Sequence, residues 1–350
     1  MNTGGRYPGW RPGIELRDDW HALTREEIID PDRQIVDPHH HLWVHGTKDN
    51  PAVYETEQLL RDTGAGHNVV QTVYIECRSY WDVTAPEHLQ SVAETAHVAR
   101  MASEMPQGGA QIAGIVAHVD LTLPTEKLDE ALDAHEKAGQ GLLKGIRHSG
   151  ARDEDRASLM IPGRGAKGQY SDPAFRRGLS HLGKRGLTYD TWHYHHQNRD
   201  FLDMVRAVPE TTIILDHFGT PLGVGRFTGK HDEIFDLWQE DMAELADCPN
   251  LRAKLGGLAM PDNGFGFMDR SKPPGSDELL DLQGRWYRHM IAHFGPERCM
   301  FESNFPVDRV SVSYAVLWNF FKKLAAELDA ESQDLLFAGT ARATYGLPPA

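Results

Sequence analysis

Short β-branched runs alternate with longer helical patterns along almost all of this 350-residue chain, and that alternation restricts its folding more than any other feature. Strands are expected at 35–44, 69–77, 112–121, 142–148, 187–195, 212–218, 251–258 and 298–305. Apolar residues spaced three and four apart predict helices over 87–104, 126–138, 173–185, 199–208, 232–246, 277–294 and 314–328, with a weaker pattern over 55–63. Asp172 and Ser276 stand where N-caps belong, and Gly139, Gly186 and Gly295 follow the last helical turns. Strands that alternate with helices pair in parallel through crossovers, and eight such units are the number that closes a barrel. An open doubly wound sheet competes, but no G-x-G-x-x-G turn follows the first strand, and Gly223-Val224-Gly225 opens no suitable βα unit. The expectation is an α/β chain: a single (β/α)8 TIM barrel over 35–350, preceded by a Pro/Gly-rich arm (1–34) and closed by a C-terminal extra helix near 339–347.

Two connections, 150–171 and 261–275, are much longer than ordinary βα loops. In a barrel both lie on the C-terminal face, where active sites are built, and both are expected to serve as substrate lids. With 36 basic against 51 acidic side chains, the formal charge is −15. No basic run exceeds Lys322-Lys323, so nucleic acid and anionic membranes are not expected partners. Cys77, Cys248 and Cys299 are too few and too scattered for a disulfide framework or a thiolate metal site. Residues 1–20 hold no apolar run of signal-peptide length, and no 18 apolar residues occur together, so a soluble, cytoplasmic protein is expected.

Histidine is abundant, with 19 residues, and it gathers at strand ends. In Asp37-Pro38-His39-His40-His41, alternation puts His39 and His41 on one side and His40 on the other; two imidazoles side by side can hold one divalent ion or an anionic substrate. In Trp192-His193-Tyr194-His195-His196, His193 and His195 share one face while Trp192, Tyr194 and His196 share the other, and the sequence leaves open which face looks inward. Asp216-His217 ends the sixth strand, where His217 is a natural general base near neutral pH. Glu76 ends the second strand. Arg147, on the fourth, can clamp a substrate carboxylate bidentately or pair with Glu76 or the Asp153-Glu154-Asp155 loop. Lys254 alternates with Arg252 and Gly256 on the seventh strand, so one charge must be accommodated where burial is expected.

The D-x-H-x-H end of strand one (Asp37, His39, His41), the L-D-H-x-G end of strand six (Leu215 to Gly219) and the S-N-x-P-V segment of strand eight (Ser303 to Val307) together resemble the amidohydrolase superfamily. The likeness is to its amidohydrolase-related branch, which includes 2-pyrone-4,6-dicarboxylate lactonase, sugar lactonases and aminocarboxymuconate semialdehyde decarboxylase. It spans 35–347 and implies a (β/α)8 barrel with Zn2+ or another divalent metal at His39 and His41. In the decarboxylase pattern, His195 or His193 completes that site; in the lactonase pattern the fifth-strand histidine is missing and some members work without metal. Asn304 stands where most relatives carry an aspartate that ligates metal or activates water, and an amide does neither well. A metal-free site is therefore compatible with this sequence. Water activation then falls to His217, Glu76 or Glu302, or to a metal, and Asn304 is expected to donate a hydrogen bond to the developing oxyanion. The expected function is lactonase-like hydrolysis of a small carboxylated cyclic metabolite from a catabolic pathway. His217, Asn304 and Glu76 are the catalytic candidates, with the substrate held by Arg147 and by Tyr194 or His195. A metal-dependent non-oxidative decarboxylase on the same barrel is the alternative, and a barrel retired to ligand binding is a third. A small-molecule partner is expected, with homo-oligomerisation left open.

Overall fold

The computed structural model describes residues 17–46 and 51–349. Eight parallel strands, β1 (Gln34–His40), β2 (Asn68–Ile75), β3 (Gln111–Ala117), β4 (Leu143–Arg147), β5 (Thr188–Thr191), β6 (Ile213–Leu215), β7 (Leu251–Leu255) and β8 (Cys299–Phe301), pair in strict chain order. The last returns toward the first: His41 N donates to Phe305 O at 2.7 Å and Asn304 N to His39 O at 3.0 Å. Consecutive pairing with this return makes a nearly closed (β/α)8 barrel and excludes the doubly wound sheet, whose strand order must reverse. The crossover helices are α1 (Thr56–Thr63), α2 (Val92–Ser103), α3 (Thr125–Gly139), α4 (Pro173–Lys184), α5 (Asn198–Ala207), α6 (His231–Ala246) and α7 (Ser276–Phe294), with α8 (Tyr314–Ala325) following β8.

Local chemistry sets the boundaries. Asp172 caps α4, accepting from Ala174 N at 2.8 Å, with Pro173 in the first turn. Ser276 is not a cap but the first residue of α7; its N–H and hydroxyl donate to Glu26 at 2.7 and 2.6 Å, so a distant segment satisfies that helix start. Gly139 lies inside α3, and the left-handed stop falls on Gln140 (φ 50) and Gly141 (φ 90). Predicted strands overshoot at their C-terminal ends, because beyond Thr191 and Leu215 the chain bends over the barrel mouth instead of pairing.

Two apolar layers hold the barrel. Between strands and helices, Ile35, Tyr74, Ile115, Tyr189 and Phe301 pack with Val98, Leu132, Leu179 and Phe321. Inside the lumen, Val36, Val73, Ile75, Val116, Ile214 and Met300 meet Ala338, Ala341 and Tyr345 of the C-terminal helical segment, residues 330–345. That segment seals the end of the barrel opposite the site, and each large side chain it buries contributes about 1.5–3 kcal/mol. In the N-terminal arm, Trp20 Nε1 donates to Arg270 O at 3.0 Å and Asn319 Oδ1 accepts from Ile29 N at 3.0 Å; residues 1–16 lie outside the described residues. Among the described residues no helix is long and apolar enough to cross a membrane.

Candidate active site

The site grows from an irregularity in β1. Val36 faces the lumen core, and so, an odd number of residues later, does His39; a register shift between Asp37 and His40 in the pairing with β2 reconciles the two. Beyond it His39 and His41 point together, Nε2 to Nε2 at 3.3 Å, while His40 turns outward to Thr72 Oγ1 at 3.0 Å. His41 Nδ1 donates to Ile75 O at 2.8 Å, which leaves its Nε2 as the acceptor. Asp37, the buried anchor of this bend, accepts from Ser303 N and Tyr314 Oη, both at 2.9 Å.

His217 reaches the same place through strained backbone. His217, Phe218, Gly219 and Thr220 have φ of 54, 60, 64 and 41°, a run that costs about 1–2 kcal/mol for each residue with a side chain. Packing over-determines the run: Trp238 Nε1 donates to Phe218 O at 2.7 Å and Trp192 Nε1 to Thr220 Oγ1 at 3.1 Å. The ring of His217 then lies 4.4 Å from that of His39, with Nδ1 2.6 Å from Glu302 Oε1. Gly257 (φ 80) makes room, since a Cβ there would stand 2.5 Å from His217 Nδ1. Burial pushes His217 down to about 3, so its ring is neutral at physiological pH.

Beneath the histidines lies an ionic cluster with no solvent exposure. Lys254 Nζ is 2.6 Å from Asp190 Oδ2, 3.3 Å from Asp216 Oδ1 and 3.2 Å from His39 Nδ1, and Tyr345 Oη donates to Asp190 Oδ2 at 2.5 Å. Burial works against the Lys254 charge, but Asp190 and Asp216 outweigh it and raise the ammonium above its ordinary value. Burial likewise pushes Asp216 up to about 7 and works against the Glu302 charge, which Lys254 and the bond from His217 favour.

Above the cluster opens a cleft walled by Trp43, Trp192, Ile161, Met260 and Val307, with His41, His217, Arg147 and Asn304 among its polar groups. Of the two roles open to Arg147, the ion pair is the one formed: Nε donates to Glu76 Oε1 at 2.9 Å and Nη2 to Glu76 O, while Nη1 stands 3.9 Å from Asp216. Asn304, itself left-handed (φ 55), donates from Nδ2 to Asp308 Oδ1 at 2.9 Å. The two long loops are clasped over one side of the mouth, for Asp262 accepts from Met160 N at 2.6 Å and Ile161 N at 3.0 Å.

The structure does not bring the other candidates into the cleft. Alternation carries Asp190 and Trp192 inward and sends His193 to the helix side, where Nε2 meets Asn198 Oδ1 at 3.0 Å. Tyr194 is buried under the 150–171 loop, its hydroxyl donating to Ile161 O and accepting from Gly163 N. The pattern then ends in the 3-10 turn His195–Gln197, where His195 Nδ1 accepts from Leu222 N at 3.1 Å. Tyr194 and His195 therefore support loops, and neither His195 nor His193 stands with His39 and His41. Sequence reasoning passed over Asp190, Trp43 and Trp192 as site residues; two-residue spacing from a lumen-facing Asp190 would have found Trp192.

The residues suit a divalent cation. A separation of 3.3 Å is that of two nitrogens on one tetrahedral ion bound at about 2.0–2.1 Å. His39, Asp216 and His217 each offer a donor atom within 4.8 Å of the others. Asp216 Oδ1 already pairs with Lys254 Nζ at 3.3 Å, but Asp216 Oδ2 and Glu302 Oε2 are buried without a hydrogen bond, and such acceptors suit a cation.

The amidohydrolase family model matches residues 36–347, and the chain belongs to that family. It is 29% identical over 337 residues to an uncharacterized protein of Sinorhizobium fredii, covering 90% of this chain and 99% of that one. It is 25% identical over 320 residues to the L-fucono-1,5-lactonase of Burkholderia multivorans, covering 89% and 96%. Among solved structures, an amidohydrolase of Burkholderia multivorans with bound zinc is similar at a TM-score of 0.70 and 22% identity, over 90% of this chain and 100% of that one.

Proposed function

We propose that this protein is a lactonase-type hydrolase that opens a small cyclic ester. The observation that carries the reading is the pairing of His217 with Glu302 at the cleft floor, 2.6 Å apart. Glu302 accepts the Nδ1 proton, His217 Nε2 keeps its lone pair, and a neutral imidazole held this way takes a proton from water attacking the carbonyl carbon. The Arg147 guanidinium on the cleft wall faces negative charge that develops on the ring oxygens, at the cost of its hold on Glu76. Trp43 and Trp192 give the ring flat apolar walls. A divalent ion, which His39 and His41 would hold, supplies carbonyl polarisation and a more acidic water. The full-length similarity to a lactonase supports the same reading. Asn304, an amide on the cleft wall, makes decarboxylation the second reading, since that chemistry needs no hydrolytic base.

The test is a panel of five- and six-membered lactones assayed by acid release, with carbon dioxide followed in parallel. His217→Asn is expected to lower kcat about 100-fold or more, the range for loss of a general base. Hydrolysis at near wild-type rate in that variant, or carbon dioxide as the product, rejects the reading.

A further inference from the structure

His39 Nδ1 lies between a donor and an acceptor that require opposite tautomers. Lys254 Nζ is 3.2 Å away and Glu302 Oε2 2.9 Å away, and none of the three residues has any solvent exposure. When Lys254 donates to Nδ1, the ring proton resides on Nε2 and is given across the 3.3 Å gap to His41 Nε2, whose own Nδ1 proton goes to Ile75 O. That chain of donors is complete, but it leaves His39 no lone pair at the mouth. When Nδ1 carries the proton instead, Glu302 as a carboxylate accepts it at Oε2 while its Oε1 holds the His217 Nδ1 proton, and both Nε2 atoms offer lone pairs to one cation. Glu302 Oε2 is a buried oxygen with no hydrogen bond, so the second arrangement has its acceptor already in place. Lys254 has somewhere to go, because Asp190 and Asp216 stand at 2.6 and 3.3 Å.

We propose that Glu302 and Lys254 are opposed positioning residues that set the tautomer of His39, and thereby decide whether the His39–His41 pair accepts a divalent cation. Glu302 favours the tautomer that opens the pair, and Lys254 the one that closes it. The change moves one proton between the nitrogens of one ring, and no net charge moves with it. The inference deepens the active-site reading above and rests on it for the place of the site, but not for the identity of the substrate.

The experiment compares metal-stripped wild type with Glu302→Leu and Lys254→Met. Zinc affinity is measured by competition with a chromophoric chelator, and the His39 tautomer by 15N NMR of histidine-labelled protein. Glu302→Leu is expected to weaken zinc binding about 10–100-fold, the usual effect of removing the partner of a ligating histidine. Lys254→Met is expected to tighten it at least threefold. Before zinc is added, His39 should carry its proton on Nε2 in the first variant and on Nδ1 in the second, a difference that loss of packing does not produce. Glu302→Gln and Lys254→Gln replace either variant that does not fold, with the same directions expected. Unchanged affinities, one tautomer in both variants, or a wild type that takes no zinc in the titration would overturn the proposal. Affinities that split as expected in a protein that opens no lactone reject the lactonase reading and uphold this one.

Discussion

Asn304 and Gly257 show how single positions tune the site. The Asn304 amide donates to Asp308, a carboxyl that burial already holds well above its usual range. Asn304→Asp replaces that donor with an acceptor, and the two carboxyls must then share a proton. The variant is expected to lose activity about tenfold or more and to be less stable by about 1–3 kcal/mol, the cost of an unsatisfied buried group. Steady-state kinetics and urea midpoints check both, and a gain in hydrolysis would show that this position wants a base. At Gly257, a methyl group would stand 2.5 Å from His217 Nδ1, on backbone with φ of 80°. Gly257→Ala is expected to lower kcat by displacing His217 from Glu302, with an unchanged far-ultraviolet circular dichroism spectrum.

At the scale of elements, the strand ends and the loops above them divide the labour. Strand ends aim His41, His217 and Arg147 into the cleft, while the 150–171 loop supplies Ile161 and is held from below by Tyr194. Tyr194→Phe removes an oxygen that accepts from Gly163 N at 2.7 Å and donates to Ile161 O at 3.1 Å. The expected result is a loss of about 1–3 kcal/mol in stability and a raised KM with kcat largely kept, because the loop lines the cleft through Ile161 but carries no group of the proposed chemistry. A fall in kcat with KM unchanged would place Tyr194 in the reaction instead. The same residue shows why the fifth strand misleads a reader of sequence. Pairing stops at Thr191, and two-residue alternation survives only through Trp192 and His193 before the chain turns away at Tyr194.

At the scale of the whole molecule, buried neutral histidines set the response to acid. Burial pushes His40 down to about 3 and His135 and His193 down to about 4. In the unfolded chain each takes up a proton near its ordinary value, about 6.5. Their contribution to stability is therefore complete above pH about 6.5 and is lost as the pH falls from there toward 3–4, by about 1.4 kcal/mol per pH unit for each histidine. Asp216, Glu302 and Asp308, all raised by burial, act in the opposite sense between their unfolded and folded values, while His217 and His195, both pushed down to about 3, act with the other histidines. The histidines outnumber them, so the urea midpoint is expected to fall between pH 6.5 and 4.5, and a midpoint that rises over that interval contradicts the assignment. The strand and helix order, the barrel and the pairing of His39 with His41 were all legible in the sequence, because periodicities of two and 3.6 residues are local and survive without neighbours. Lys254 was legible as a charge needing partners, but not Asp190 or Tyr345 as those partners. The cluster under His39 unites residues from across the chain, His39 and Lys254 alone being 215 positions apart, the strained turn at His217 is held by Trp238 and Trp192, and the lumen is sealed by a segment from the C-terminal end. The sequence by itself determined a barrel with histidines at its mouth. Only the tertiary structure decided which histidines meet and which donor and acceptor flank them, because burial and charge pairing act between residues that no local pattern connects.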